Sequence, residues 1–199
     1  MLIQHRINNT DELKNVPHSF GVEVDVRSSG KDLICAHDAF TDGELFSDWL
    51  KYFKHRFLIV NIKSEGIENS IIEILNKFAI TNYFFLDVSF PFMCKLTKEG
   101  FRKFAYRVSD LEAYDQAAFK WLGCNWIWLD AFNYFPANEI KKVLSTNQNV
   151  KICLVSPELH LYRDNKVSKE IEKQIHETKL TFDAICTKEP QKWNISKQN

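Results

Sequence analysis

The chain has 199 residues, enough for one domain with a substantial hydrophobic core. Its 26 basic and 26 acidic residues cancel, so nothing in the charge balance indicates binding to nucleic acid or an anionic membrane. Five scattered cysteines argue against structural zinc and a disulfide framework. With no bilayer-length apolar run and no signal-peptide pattern, we expect a cytoplasmic single-domain protein (residues 1–199) without a membrane anchor.

Hydrophobic periodicity predicts eight strands that alternate with helical segments. The predicted strands, in chain order, are Leu2–Arg6, Gly21–Arg27, Phe57–Lys63, Tyr83–Ser89, Phe104–Ser109, Trp126–Phe132, Val150–Ser156 and Ala184–Lys188. Helical spacing is found over Ile67–Phe78, Glu139–Leu144 and Ser168–Glu177. An extra strand, Asp32–His37, is predicted to form a hairpin with the second strand through Ser29-Gly30.

Eight strand–helix units predict an α/β fold, a compact (β/α)8 TIM barrel with a small hairpin after its second strand. An open sheet of nine elements is the alternative. No glycine-rich phosphate loop follows any predicted strand, so the signals for dinucleotide-binding and P-loop folds are absent.

Polar residues of one parity lie near the carboxyl end of almost every predicted strand. They are His5, Glu23, Asp25, Asn61, Lys63, Asp87, Ser89, Arg107, Ser109, Asp130 and Lys188. The active sites of barrels are built at this rim, from the strand ends and the loops that follow them. Because a solvated strand end explains one such residue but hardly the whole series, the pattern predicts a functional site at the rim.

The second strand carries two carboxylates on one face, because side chains alternate along a strand and only Val24 separates Glu23 from Asp25. Two adjacent carboxylates repel each other unless a cation or solvent lies between them. Carboxylate oxygens suit Mg²⁺ or Ca²⁺. The alternative is an ion pair with a nearby base, for which the candidates are Arg6, Arg27 and Lys63.

His5 and His37 flank the acidic strand in sequence, and each is followed by a charged residue that can orient it. One imidazole can activate an attacking oxygen while the other protonates a leaving group. His160, just after the seventh strand, is a second candidate. The remaining histidines are expected to be bystanders: His18, His55 and His176.

Three basic residues, Arg6, Lys63 and Arg107, are predicted at the same rim, where with a divalent cation they would suit a phosphate group. Their alternative role is charge compensation for the acids. Asp130 and Glu158 end the sixth and seventh strands. Each would complete a metal shell, bind substrate hydroxyls or form a rim salt bridge.

The order of these motifs resembles that of the glycerophosphodiester phosphodiesterases, which show HRG, ExD, HD, E-x-K and an ending like T-D-x-P. The matching residues are His5-Arg6, Gly21-Val22-Glu23-Val24-Asp25-Val26, His37-Asp38, Asn61-Ile62-Lys63 and Asp183-Ala184-Ile185-Cys186-Thr187-Lys188-Glu189-Pro190. The resemblance implies a TIM barrel of the phosphatidylinositol-phosphodiesterase type and cleavage of a phosphodiester with one divalent cation, Mg²⁺ or Ca²⁺. It also implies roles for individual residues: His5 and His37 as the catalytic pair, Glu23 and Asp25 as metal ligands, and Arg6 and Lys63 as phosphate contacts.

The chain departs from this pattern at three places. Asn61 stands where the family has a third acidic ligand, and its amide oxygen can still bind a metal but removes one negative charge. Ile7 replaces the glycine of HRG, and the P-E-N-T stretch is reduced to Asn8-Asn9-Thr10-Asp11-Glu12. Any pocket is therefore expected to be open and rather small.

The leading hypothesis is a metal-dependent phosphodiesterase of lipid metabolism, which hydrolyses a small glycerophosphodiester-like molecule to a phosphomonoester and an alcohol. In this hypothesis Glu23, Asp25 and Asn61 hold the cation. The alternatives are a lyase that forms a cyclic phosphate with the same residues, and a barrel that binds phosphoesters without catalysis. A third is an aldolase-like barrel in which Lys63 or Lys188 forms a Schiff base.

Overall fold

Strands occur at all eight positions where the sequence predicts them, and the fold is mixed α/β. The structure is a computed structural model that describes residues 1–147, 149–160 and 164–193. The chain divides into two compact units: an N-terminal unit, Ile3–Phe104, and a C-terminal unit, Met1–Leu2 with Ala105–Asn199. Within the described ranges, every helix is too short or too polar to cross a bilayer.

The N-terminal unit is built on a parallel sheet with a hairpin. Its strands are β1 (Leu2–Gln4), β2 (Gly21–Ser29), β3 (Asp32–Cys35), β4 (Glu44–Leu45), β5 (Phe57–Ile62) and β6 (Tyr83–Leu86). Its helices are α1 (Thr10–Asn15), α2 (Phe46–Leu50), α3 (Glu68–Lys77) and α4 (Phe90–Lys98). Strands β1, β2, β5 and β6 are parallel neighbours in that order, so β2 is a central strand. The far end of β2 forms the predicted hairpin with β3, which pairs in turn with β4.

The central position of β2 follows from its sequence. Val22, Val24 and Val26 are fully buried, and every residue of β5 is buried, as is usual for parallel strands covered on both faces. The strand begins at Gly21, where a Cβ atom would lie only 3.1 Å from Ile3 Cγ1 and 3.2 Å from the backbone of β5. A glycine here lets β1 and β5 approach β2 closely on both sides.

The C-terminal unit contains four further parallel strands. They are β7 (Ala105–Val108), β8 (Trp126–Leu129), β9 (Lys151–Val155) and β10 (Ala184–Thr187), paired in that order. Its helices are α5 (Gln116–Leu122), α6 (Ala137–Thr146) and α7 (Asn165–Glu177), and short 3-10 helices cover Pro157–Leu159 and Pro190–Lys192. Each unit therefore carries four parallel strands, and a closed (β/α)8 barrel stays a prediction.

Most strands end earlier than predicted, so several of the predicted site residues lie in loops just after the strands. His5, Arg6, Lys63, Asp87, Asp130 and Lys188 all fall outside the ladders. Two of these ends have a visible cause, because Arg6 (φ 54°) and Asp87 (φ 57°) adopt left-handed backbone conformations that no strand continues through. The third strand likewise ends at Cys35, two residues before His37.

The sequence interpretation missed four helices and one short strand. These elements are α1, α2, α4, α5 and β4. Two of the helices carry capping signals that could have revealed them. Ser89 accepts a hydrogen bond from the backbone of Phe92 at the start of α4, and Asp115 caps α5, which ends at the left-handed Gly123. The predicted helices are present as α3, α6 and α7, with bounds that differ from the prediction by at most three residues.

Candidate active site

The two carboxylates of β2 lie together in the interior of the N-terminal unit. Glu23 is 0% exposed and Asp25 is 1% exposed. In the parallel ladder Asp25 lies opposite Asn61 of β5, and the Asn61 amide also reaches Glu23. The alternation of β2 therefore places two acids and one amide on the same face of the sheet, as the sequence predicts.

Glu23 is held by donors from both neighbouring segments. Asn61 Nδ2 donates to Oε1 at 3.0 Å, and the backbone N–H of Arg6 donates to Oε2 at 2.6 Å. His5 Nε2 lies 3.8 Å from Oε2. Burial, followed by the negative charge of Asp25, raises the pKa of Glu23 to about 8, although the donors and Lys63 act in the opposite direction. The raised pKa of Glu23 therefore reflects first its removal from water and second the negative charge of Asp25.

Asp25 is surrounded by nitrogen donors and cations. Asn8 Nδ2 donates to Oδ2 at 2.9 Å, and Arg6 Nε lies 3.6 Å from the same oxygen. Lys63 Nζ lies 3.4 Å from Oδ1. The ion pairs considered as the alternative to a metal are therefore present for Arg6 and Lys63. Arg27 is directed elsewhere, since its guanidinium donates to two backbone carbonyls.

Lys63 joins the acid pair to a further carboxylate. The Lys63 side chain is only 18% exposed, and its Nζ lies 3.7 Å from Asp87 Oδ2 as well as 3.4 Å from Asp25 Oδ1. Asp87 follows β6, just as Lys63 follows β5. Strained backbone conformations are often found at functional sites. Arg6 and Asp87 both have left-handed backbone conformations; Arg6 contacts Asp25, and Asp87 contacts Lys63. The sequence pattern placed Asp87 at the rim without giving it a role.

His37 lies in the loop that follows β3. The backbone N–H of Ala36 donates to the carbonyl of Asp25 at 3.1 Å, which brings the start of this loop to β2. His37 Nδ1 contacts Asp38 Oδ1 at 2.7 Å, and the hydrogen bond from His37 lowers the pKa of Asp38. This contact engages one ring nitrogen, so Nε2 is the nitrogen that does not face Asp38. The imidazole is 36% exposed.

The donor set fits a hard divalent cation, although it contains only two carboxylates and one amide. Within the described residues, Asp25 Oδ1 and Asn61 Oδ1 are buried and accept no hydrogen bond. Two such oxygens, together with the Glu23 carboxylate, are the ligand type that Mg²⁺ and Ca²⁺ prefer. Three His, Cys, Asp or Glu side chains arranged for a metal are not found anywhere in the described ranges. Any cation here would therefore depend on the Asn61 amide.

A separate polar cluster lies in the C-terminal unit, at the carboxyl ends of three neighbouring strands. Asp130 is 2% exposed; Arg107 Nη1 donates to its Oδ2 at 2.7 Å, and His160 Nε2 lies 2.5 Å from its Oδ1. Arg107 Nε also lies 3.5 Å from Glu112 Oε2. Charge compensation, the alternative considered for Arg107, is thus realised within this unit, and its role as a phosphate contact stays a prediction.

Glu158, predicted to bind substrate, is tied to the ends of β9 and β10. Its Oε1 accepts from Thr187 Oγ1 at 2.5 Å and from the backbone N–H of Lys188 at 3.2 Å. Its Oε2 accepts from the hydroxyl of Ser156, which in turn accepts from Trp193 Nε1. These contacts are those of a carboxylate that joins two strand ends, so a substrate role for Glu158 stays a prediction.

The histidines expected to be bystanders have contacts away from the acid pair. His55 is buried, its Nε2 lies 3.1 Å from the carbonyl of Val16, and its ring meets the edge of His18. Burial lowers the pKa of His55. His176 stacks on Trp193 in the C-terminal unit.

Asn8 is a site residue that the sequence interpretation missed. It follows β1 by four residues and makes two hydrogen bonds to Asp25. The available signal was weak: a side-chain amide three positions after His5, in the segment where the family has P-E-N-T. Only the pairing of β1 with β2 shows that this segment passes Asp25.

The fold is mixed α/β, and it is similar to the folds of three solved phosphodiesterase structures. A phosphodiesterase from Oleispira antarctica, in complex with the product sn-glycerol-3-phosphate, has a TM-score of 0.63 and 16% identity, covering 99% of this chain and 95% of that one. A candidate glycerophosphodiester phosphodiesterase from Galdieria sulphuraria has a TM-score of 0.67 and 10% identity, covering 96% and 94%. A glycerophosphoryl diester phosphodiesterase from Parabacteroides distasonis has a TM-score of 0.63 and 11% identity, covering 94% and 82%. No protein-family model matches the chain, and no curated protein matches it in sequence.

Proposed function

We propose that this chain is a metal-dependent phosphodiesterase of the glycerophosphodiester phosphodiesterase family. It hydrolyses a small glycerophosphodiester-like substrate to a phosphomonoester and an alcohol. The observation that carries the proposal is the buried group in the N-terminal unit, where Glu23, Asp25 and Asn61 share one face, with Lys63 and His5 within 4 Å of the two acids. The fold likeness supports it, since the Oleispira antarctica enzyme binds sn-glycerol-3-phosphate.

The same proposal extends to the architecture and the setting of the enzyme. We infer that residues 1–199 form one (β/α)8 barrel domain and that the enzyme acts in the cytoplasm. Eight parallel strands with intervening helices are the complement of that fold.

The cation would be held by Glu23, Asp25 and Asn61. When bound, it supplies charge that stabilises the phosphate oxygens as the phosphorus–oxygen bond breaks. Lys63 and Arg6, which lie 3.4 Å and 3.6 Å from Asp25, add positive charge beside the acids and bind the phosphate. The acid pair would therefore have a divalent cation and two basic side chains beside it. Their positive charges complement the negative charge of a phosphodiester.

Proton transfer falls to the two histidines. His37 Nδ1 faces Asp38, so Nε2 is the atom that accepts a proton from the attacking water. Asp38 keeps the ring oriented and stabilises it once protonated. His5, whose Nε2 lies 3.8 Å from Glu23, then protonates the departing alcohol oxygen. One proton is taken at His37 and one is given at His5, which balances the hydrolysis.

The test is a screen of glycerophosphodiesters in the presence of Mg²⁺ or Ca²⁺, in which the phosphomonoester released is measured. Turnover that requires a divalent cation and disappears with chelator is the expected result. Phosphorus NMR of the product then separates hydrolysis from cyclisation, since a persistent cyclic ester signal would show the lyase reaction. If the folded protein binds no cation at millimolar concentration in calorimetric titration, the metal-dependent function is wrong.

Asn61→Asp is expected to tighten binding of Mg²⁺ or Ca²⁺, on the order of tenfold or more, because it restores a third carboxylate to the donor set. It also removes the amide that donates to Glu23, so without a cation the variant should unfold at a lower temperature than the wild type. Calorimetric titration and thermal unfolding with and without chelator measure both effects. Asn69→Asp, an equal charge change at an exposed position of α3 in the same unit, should leave both nearly unchanged. Unchanged or weaker binding in Asn61→Asp would show that residue 61 is not a ligand.

A further inference from the structure

We propose that Asn8 is a positioning residue that fixes the side chain of Asp25 and keeps one of its two carboxylate oxygens available to a cation. The inference rests on the proposed function, because it concerns the donor set described above. It assigns a role to a residue in the segment where the chain departs from the P-E-N-T pattern.

Both polar atoms of the Asn8 amide are used on the same residue. Its Nδ2 donates to Asp25 Oδ2 at 2.9 Å, and its Oδ1 accepts the backbone N–H of Asp25 at 2.9 Å. Two hydrogen bonds to the backbone and the carboxylate of one residue restrict the rotation of that side chain more than either bond alone. Asp25 is 1% exposed, so water offers little competition for these bonds.

The two oxygens of Asp25 are therefore different. Oδ2 accepts from Asn8 and lies 3.6 Å from Arg6 Nε, whereas Oδ1 accepts no hydrogen bond among the described residues and lies 3.4 Å from Lys63 Nζ. A buried carboxylate oxygen without a donor is costly unless a cation faces it. By engaging Oδ2, Asn8 directs Oδ1 toward the positive charge. Partners of this kind, which orient a ligand without touching the metal, commonly change metal affinity by about 10- to 100-fold when removed.

The backbone of the segment that follows β1 holds Asn8 beside Asp25 of β2. The N–H of Ile7 donates to the carbonyl of Glu23 at 2.8 Å, which extends the contact between the two segments to the residue before Asn8. An asparagine suits the position because it offers one donor and one acceptor on a short side chain. Alanine would remove both bonds without adding bulk.

The experiment compares Asn8→Ala with Asn9→Ala. Asn9 is the matched control: it is the adjacent asparagine, and its Oδ1 caps α1 by accepting the backbone N–H of Glu12 at 2.8 Å instead of contacting Asp25. Calcium and magnesium are titrated into chelator-treated protein in a calorimeter. We expect the dissociation constant of the cation to be roughly 10- to 100-fold larger in Asn8→Ala, which means weaker binding, and to change little in Asn9→Ala. The substrate KM should change less than kcat in Asn8→Ala, because the phosphate contacts Arg6 and Lys63 remain.

Amide hydrogen exchange of Asp25 gives a second readout that needs no cation. Exchange at Asp25 should be faster in Asn8→Ala and unchanged in Asn9→Ala. If the wild type binds a cation and Asn8→Ala binds it equally well, the positioning role is wrong while the proposed function stands. If the wild type binds no cation, the proposed function fails, and unchanged exchange at Asp25 in Asn8→Ala would then overturn the Asn8–Asp25 pairing as well.

Discussion

Replacing His37 with alanine is expected to lower kcat by roughly 10²- to 10⁴-fold while the fold is retained, and His5→Ala should have an effect of the same order. Each change removes a proton-transfer group, and His37→Ala removes little packing, since His37 is partly exposed and lies in a loop. Turnover is measured on the best substrate of the screen, and circular dichroism checks the fold. His18→Ala is the control, because His18 is an exposed histidine of the same unit whose ring contacts His55.

The two histidines should also differ in their pH profiles. If His37 accepts the proton from water, loss of activity at acidic pH should disappear in His37→Ala, whereas His5→Ala should lose the decline at alkaline pH. The double variant should be about as slow as the slower single variant, because residues that act in one cycle are not additive. Near-normal turnover in both single variants would refute the acid–base assignment.

The fold could be predicted from the sequence to the extent that buried parallel strands appear as apolar runs. β5 and β9 are clear cases, since nearly every residue in them is buried. Short helices were harder, because α1 and α2 have only six and five residues and hence little periodicity. Strand ends were placed too late, because polar residues such as Lys63 continue the alternating pattern after the ladder has stopped.

The candidate site was predictable in its acids and less so in what surrounds them. Alternation on one strand is enough to place Glu23 and Asp25 together. The donor from the Arg6 backbone depends on a left-handed conformation at a non-glycine residue, which no sequence pattern indicates. The contact from Asn8 depends on the register of β1 against β2. Contacts that arise from register and backbone conformation are set by the tertiary structure.

Glu23→Gln is expected to abolish turnover and, without divalent cations, to stabilise the protein at alkaline pH. Burial and the charge of Asp25 raise the pKa of Glu23 from 4.5 to about 8 in the folded protein. Between these values the native state holds a proton that the unfolded chain has released. The free energy of unfolding therefore falls as pH rises through this window. A glutamine resembles the protonated acid at every pH, so the variant should lack this part of the slope.

The measurement is chemical unfolding in chelator at pH 5 and pH 8.5. Wild type and Glu23→Gln should be similarly stable at pH 5, and at pH 8.5 the variant should be more stable by on the order of a few kcal/mol. Glu73→Gln, the same substitution at an exposed position of α3, should follow the wild type at both pH values. Parallel pH dependence in wild type and Glu23→Gln would show that Glu23 is ionised throughout this range.

Addition of a divalent cation should reverse the order of stability at pH 8.5. A cation that binds the ionised Glu23 and Asp25 stabilises only the folded wild type, by an amount that grows with the logarithm of its concentration. It should therefore raise the wild-type unfolding temperature and flatten its pH dependence, while Glu23→Gln responds weakly. The negative charge that destabilises the acid pair when no metal is bound is then also the charge that attracts the cation. A wild type that gains no stability from Mg²⁺ or Ca²⁺, yet becomes more stable through Glu23→Gln, would have a strained acid pair that serves something other than a metal.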